Sequence, residues 1–297
     1  KPDVVLTYTF KPNVYGGLVC KILGTPYISN ITGLGTSIEN KGLVRKIALL
    51  LYKIGLSSAS AIFFQNTENK QYFIENKIVN EDKIILIPGS GVNLDYHKFE
   101  EYPEDDGRLR ILFIGRIMKD KGIEELFKAA SIVKKSYPNV EFHLIGSKEE
   151  DYSDQMDQLI RKEIIYYHGR QNDVRPFIRN SHVIINPSYH EGMSNVLLEA
   201  ASTGRPVLAS KVPGCKETFD ENVSGLGFEK KNIDSLVKAI IKFIELPYEK
   251  KKKMGVHGRK KVEKEFDRNI VINAYLKEIS KIIHEKEEVK WIYMKSL

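Results

Sequence analysis

The sequence predicts an α/β protein made of two doubly wound domains, each built on a parallel sheet. Short β-branched runs alternate with helical stretches along the whole chain. Its 297 residues are enough for two domains of ordinary size. The alternation pauses once, over the acidic, aperiodic stretch "DYHKFEEYPEDDGR" (95–108), and then restarts. A hydrophobic fraction of 42% and a charged fraction of 29% exclude a disordered or fibrous chain.

Taken in order, the first domain (1–94) is expected to hold strands at "DVVLTY", "PYISNIT", "AIFFQN" and "KIILIPG". Helices are expected between them near 13–23, 42–56 and 67–77, followed by a linker over 95–107. The second domain (108–266) then reads "RILFIG", a helix near 122–136, "VEFHLIG", a helix near 153–163 and "IIYYHG". A short helix near 173–180, "HVIINPS", a helix over 195–203 and "PVLAS" complete the series. Gly204 accepts the left-handed cap and Pro206 cannot continue the ladder, so the last of these helices stops there. From about residue 232 the pattern turns amphipathic and helical. Residues 267–297 are expected as a helical tail crossing back to the first domain.

Cys20 and Cys215 lie far apart, outside metal-ligand spacing, and suit a reducing compartment rather than a disulfide framework. No signal peptide is visible, and the longest apolar run, Ile47–Leu51, is far too short to span a bilayer. The chain opens at Lys1 directly into a strand without an initiator Met, so an N-terminal segment is expected to be missing. Residues 1–107 carry 11 Lys and Arg against 12 Asp and Glu, and residues 108–297 carry 35 against 27. That basic excess suits phosphate-bearing ligands, nucleic acid or an anionic membrane, without choosing among them. The densest basic run, "EKKKKMGVHGRKKVEKEF" (249–266), reads as a solvated helix face.

In open parallel sheets, ligands bind beyond the carboxyl ends of the strands. After "RILFIG" comes "RIMKDKG" (116–122), where Arg116 and Lys121 flank a turn that ends at Gly122 and opens a helix. Cations beside free helix N–H groups form an anion site, although surface decoration explains the same residues. The GxxxxGK[ST] pattern of a P-loop is absent. After "HVIINPS" comes "YHEGMSNVLLEA" (189–200). Ser194 is a good N-cap, which leaves the N–H groups of Asn195, Val196 and Leu197 pointing at the crevice. Glu191 sits in the loop, and Glu199 lies in the helix roughly 80° round from it, at 100° per residue. These carboxylates are not placed as an acid/base couple on one bond. Either they grip two ends of one extended ligand, as acceptors for hydroxyls, or they are plain surface. Together the two loops describe a site for a nucleotide diphospho-sugar.

The segments "GR…KDKG", "YHEGMSNVLLEAASTGRPVLASKVPGCKE" and "NVSGLGF" resemble the signature of retaining family 4 glycosyltransferases of the GT-B architecture, whose two Rossmann-like domains face a crevice. The front segment, "TYTFKPNVYGGLVCKILGTPYISNITGLGT", is similar to bacterial members that extend polyprenyl-diphosphate-linked glycans for capsule, O-antigen or glycoprotein assembly. The resemblance implies a metal-independent hexosyltransferase without a cofactor, cytoplasmic and at the inner face of the membrane. Its donor would be a UDP-linked hexose or N-acetylhexosamine, and its acceptor a lipid-linked saccharide. By the same resemblance, Arg116 and Lys121, beside Gly115, would neutralise the donor diphosphate. Glu191, with Gly192, Met193 and Ser194, would hold the sugar, and Glu199 the ribose. Asn195, Val196 and Leu197 would face the phosphates, and the loop carrying Arg170 would pass the base.

The chain departs from related enzymes in two ways. Their N-terminal glycine-rich loop has no match here, so the first domain is expected to be incomplete. No His precedes His97, where several relatives carry histidines. Gly33 and Gly35 are expected in a loop on the acceptor side. On a helical wheel, Leu43, Val44, Ile47, Leu50, Leu51 and Ile54 share one arc opposite Arg45, Lys46 and Lys53. Contact with an anionic membrane and packing against the sheet both explain that arc. A UDP-sugar epimerase of the same architecture and a non-catalytic nucleotide-sugar binder are the rival functions. No recognition-helix or aromatic-stacking arrangement supports nucleic-acid binding.

Overall fold

The computed structural model describes the backbone of residues 2–33 and 42–295. It divides into two compact units, one of Lys1–Gly91 with Arg268–Leu297, the other of Val92–Asp267. The first contains a four-stranded parallel sheet in the order β1 (Val5–Tyr8), β2 (Tyr27–Ile31), β3 (Ala61–Phe64), β4 (Ile84–Leu86). This order never reverses among the described strands, so right-handed crossovers place the connecting helices on one face. They are α1 (Gly17–Ile22), entered through a π-helical turn at Pro12–Gly16, α2 (Leu43–Leu56) and α3 (Thr67–Glu75). Val14, Tyr27, Ile31, Tyr52, Leu56, Phe64 and Phe73 form the core on that side. The alternate strand residues Ile28, Ala61 and Phe63 pack on Val271 and Ile282 of the C-terminal helix, Arg268–Lys295.

The second unit is a six-stranded parallel sheet. Its strands are β5 (Leu109–Ile114), β6 (Val140–Ile145), β7 (Ile165–Tyr167), β8 (Val183–Asn186), β9 (Val207–Ser210) and β10 (Gly225–Phe228). They lie in the order β10-β9-β8-β5-β6-β7. Its helices are α4 (Ile123–Ser136), α5 (Ser153–Arg161), α6 (Arg175–Asn180), α7 (Asn195–Ser202), α8 (Ile233–Ile244) and α9 (Tyr248–Glu265). Leu126, Phe127, Leu236 and Ile240 from α4 and α8 cover one face over Ile111, Phe113 and Phe142. Ile178 of α6 and Leu197 and Ala200 of α7 cover the other over Leu112, Ile145 and Ile184. The sheet is therefore doubly wound.

One expectation needs correction, and two features were not anticipated. The stretch 95–107 is part of the second unit rather than a linker, because its backbone is pinned there. The Tyr102 hydroxyl donates to His182 O at 2.9 Å, the Tyr248 hydroxyl to Pro103 O at 3.0 Å, and Arg205 to Glu100 O and Glu101 O at 2.9 and 2.7 Å. The helical stretch after residue 232 is three helices, broken at Pro247 and again at Phe266–Asp267. Strand β10, "GLGF", was not expected. Its two glycines hide the strand pattern, yet a Cβ on Gly225 would lie 2.7 Å from Val207 O and one on Gly227 2.6 Å from the Lys211 side chain.

Candidate active site

The strand order of the second sheet reverses between β5 and β8, which pair in register through Ile111 with Val183 and Leu112 with Ile184. A crevice opens at such a switch point, and the loops that flank it are 115–122 after β5 and 187–194 after β8. The first loop follows its neighbour strand closely: Gly115 N–H donates to Ile145 O at 2.9 Å and Ile117 N–H to Ser147 O at 2.8 Å. A 3-10 turn over Lys119–Lys121 then delivers Gly122 at φ 70°. Only glycine fits there, because an added Cβ would also lie 2.1 Å from Pro187 O. That close approach brings the two loops together, and Tyr189 N–H donates to Asp120 O at 2.9 Å across them.

The outcome is an ion pair: Lys121 Nζ lies 2.5 Å from Glu191 Oε1, both side chains being largely buried. Ser188 Oγ donates to the same carboxylate oxygen at 2.8 Å. Behind the pair, the fully buried Cys215 thiol is pushed well up, first by burial and then by the Glu191 charge. Gly214, at φ 79°, packs its backbone against Gly192, where a Cβ would lie 2.5 Å from Gly192 O. Gly214 O also accepts from Ser194 N–H at 2.7 Å.

Ser194 is the N-cap of α7, but its side chain does not cap the helix. Its hydroxyl instead accepts from Asn186 Nδ2 at 2.7 Å, while Asn186 Oδ1 accepts from Ser188 N–H at 3.1 Å. The first turn of α7, at Asn195, Val196 and Leu197, therefore has no side-chain cap from Ser194, and helix N-termini attract anions. Met193 is buried against Leu198, Ala201, Val262 and Phe266 and holds the loop down. Further along α7, Glu199 Oε1 lies 3.9 Å from His97 Nε2.

The remaining expected residues separate. Arg116 and Arg170 are exposed and make no ion pair among the described residues, so Arg116 and Lys121 are not equivalent. Gly33 follows β2 in the first unit at φ 154°, and Gly35 lies outside the described residues. Among the described residues no three His, Cys, Asp or Glu side chains cluster as metal ligands. Residues that the sequence reading passed over are Asn186, Ser188, Tyr189, His97 and Gly214. A polar residue at the end of a buried apolar strand, as in "VIINPS", is the signal that could have found the first two.

The basic run of α9 is divided: Lys250, Lys253, Lys260 and Lys264 are exposed, and Lys251, Lys252, Arg259 and Lys261 are engaged in structure. Met254, Gly255, Gly258 and Val262 are its buried face, and a Cβ on Gly255 would lie 2.0 Å from Gly204 O. Arg259 donates to Ser202 O at 2.8 Å and to His97 O at 3.1 Å, and Lys261 pairs with Asp220 and Glu265 at 3.0 Å.

Residues 96–261 match the family model described as glycosyl transferases group 1. An N,N'-diacetylbacillosaminyl-diphospho-undecaprenol alpha-1,3-N-acetylgalactosaminyltransferase of Campylobacter jejuni is 27% identical, over 95% of this chain and 77% of its own. The capsular polysaccharide biosynthesis glycosyltransferase CapM of Staphylococcus aureus is 29% identical, over 94% and 78%. The crystal structure of HepE from Anabaena in complex with UDP superposes with a TM-score of 0.79 at 18% identity, over 93% of this chain and 79% of that one. The two parallel sheets and their helices match GT-B glycosyltransferase structures. The matched segment spans more than half of the sequence and contains both loops of the switch point, and the chain belongs to the glycosyl transferases group 1 family.

Proposed function

We propose that this glycosyltransferase moves a hexose or N-acetylhexosamine from its UDP diester to a saccharide carried on polyprenyl diphosphate, with retention at the anomeric carbon. The acceptor places the reaction at the inner face of the cell membrane, in the assembly of a surface polysaccharide or a glycoprotein glycan. The observation that carries the reading is the Lys121–Glu191 pair at the switch point, beside the uncapped start of α7. Charges this sheltered need partners, and each half of the pair has a substitute at one end of a nucleotide sugar. The diphosphate replaces Glu191 as the partner of Lys121, and sugar hydroxyls replace Lys121 as donors to Glu191. Exposed Arg116 and the first N–H groups of α7 add to the anion side. Glu199 takes the ribose hydroxyls, and the loop at Arg170 passes the base.

In the transfer, the bond from the anomeric carbon to the diphosphate oxygen breaks, and a bond to the acceptor hydroxyl oxygen forms on the same face. The hydroxyl proton goes to the departing phosphate oxygen. Negative charge grows on that phosphate as the bond breaks, so Lys121 and Arg116 stabilise the transition state more than the ground state. The test is incubation of the chain with a panel of UDP-sugars and a polyprenyl-diphosphate-linked sugar. A disaccharide product with the donor's anomeric configuration, read by mass spectrometry and NMR, is expected. Interconversion of the free sugar nucleotide would make the protein an epimerase, and retention of donor without turnover would make it a binder.

A further inference from the structure

We infer that the outer face of α1 and α2 is a docking surface for an anionic lipid bilayer. The apolar arc of α2 is not buried against the sheet. The helix packs inward through Ala48, Tyr52, Gly55 and Leu56, and leaves Leu43 72% and Leu50 58% exposed, with Val44, Ile47 and Ile54 beside them. On the same side of the sheet, α1 and its flanks expose Tyr15, Leu18, Val19 at 52%, Ile22 at 73% and Leu23. Single exposed apolar residues are ordinary, but ten on two adjacent helices and their flanks are not.

The two helices form one fixed platform. A Cβ on Gly17 would lie 2.1 Å from Gly55 O, and one on Gly55 2.6 Å from Val14 Cα, so their backbones touch. The Tyr27 hydroxyl donates to Gly55 O at 2.7 Å beneath them, and Lys21 Nζ donates to Ser57 Oγ at 3.2 Å.

Charge selects the occupant. Neither helix carries an Asp or Glu, whereas Lys21, Lys46 and Lys53 are exposed and Arg45 sits between them and the core, its Nε donating to the Tyr72 hydroxyl at 2.8 Å. An apolar face with Lys and Arg but no Asp or Glu on its two helices, and a tyrosine at its edge, is complementary to the headgroup region of anionic lipid. Among the described residues no helix is long and apolar enough to cross a membrane. The attachment is therefore peripheral, with the helices lying in the interface. From the function proposed above, this inference takes only that the acceptor is lipid-linked.

The test is sedimentation of the whole chain with vesicles of phosphatidylcholine, alone or with phosphatidylglycerol, without nucleotide sugar. Binding to the anionic vesicles and little to the neutral ones is expected. The double variant Ile47→Ser/Leu50→Ser should lower partitioning about tenfold or more, given the free energy of each buried methylene. Lys46→Gln and Lys53→Gln should each lower it about fivefold on anionic vesicles alone. These side chains are exposed, so an unchanged thermal melt shows the fold intact. Absence of vesicle binding would overturn the inference. So would a dimer in light scattering that the Ile47→Ser/Leu50→Ser variant dissolves, which would assign the face to a second copy. Vesicle binding without sugar transfer would sink the function proposed above and leave this inference standing.

Discussion

The Tyr189 hydroxyl donates to the Glu125 carboxylate, 2.8 Å from each oxygen, and so ties the loop after β8 to the first turn of α4. The same loop is tied to the other by Tyr189 N–H on Asp120 O. Lys231 lies over the Tyr189 ring at 4.5 Å, and Lys230 Nζ reaches Tyr189 O at 3.4 Å. Tyr189 is thus a strut that sets the spacing between Lys121 and Glu191. Burial and the Glu125 hydrogen bond both raise its phenol pKa, so it stays a donor through the neutral range. Tyr189→Phe should lower kcat about tenfold, with a small change in donor KM and about 1 kcal/mol of stability lost, the usual worth of one hydrogen bond. Glu125→Gln should retain part of the rate by keeping an acceptor. Steady-state kinetics of both variants and their double variant check this, and additive losses would show that the two side chains do not act as a unit.

Lys121 and Glu199 should fail differently. In the function proposed above, Lys121 faces charge that grows during the reaction, so Lys121→Ala should cut kcat by about 10²–10³, the magnitude typical of one lost electrostatic donor. By the same proposal, Glu199 holds the ribose, which does not change during transfer. Glu199→Ala should therefore raise donor KM and UDP Kd about tenfold while kcat holds, one hydrogen-bonded carboxylate being worth about 1.5 kcal/mol or more. Kinetics paired with calorimetric UDP titration separate the two. Equal effects of both substitutions would mean the ligand does not lie along α7 as placed.

Gly122 is required both for its φ of 70° and for the contact with Pro187 O. Gly122→Ala must push the 3-10 turn away from the loop after β8. About 1–3 kcal/mol of stability should be lost, in the range for strain at a left-handed position. Separation of Lys121 from Glu191 should abolish most activity at temperatures where the variant remains folded. A thermal melt run beside the assay tests this, and a fully active, stable variant would show the close approach to be dispensable.

What was legible followed from local chemistry. The strand–helix alternation located β5 to β9 and α4 to α7, since buried parallel strands read as apolar runs bounded by glycine. The two site loops were legible for the same reason, each having a glycine, a cation or a cap residue at a strand end. Long-range side-chain commitments were not legible. Arg205, between Gly204 and Pro206, drew no reading from the sequence, yet it is fully buried and donates to six carbonyls, of Glu100, Glu101, Ile178, Arg179, Thr203 and Gly204. No periodicity marks a residue whose partners lie a hundred positions away, so the stretch it anchors looked like a linker. The α2 arc left membrane contact and packing against the sheet both open, since an apolar stripe usually marks the buried face. Here the buried face is instead Ala48, Tyr52, Gly55 and Leu56.

His182 gives the fold an acid limit. It is buried at the start of β8, its Nδ1 accepting from Arg110 N–H at 3.0 Å, so the folded chain needs the neutral ring. Burial first, and then the Arg110 charge, push its pKa down to about 4. The unfolded chain takes up a proton near the ordinary value of about 6.5, which the native chain refuses. Stability supplied by the neutral ring is therefore full above about pH 6.5 and is lost as pH falls toward 4, by up to about 3 kcal/mol. His143 and His168, also lowered by burial, act in the same direction. In His182→Asn, a side-chain oxygen can still accept from Arg110 N–H but does not titrate. Urea unfolding between pH 4 and 7 should show the slope of stability against pH falling by about 1 kcal/mol per unit, as expected for one proton. Identical slopes in the two proteins would mean that water reaches His182 in the native state.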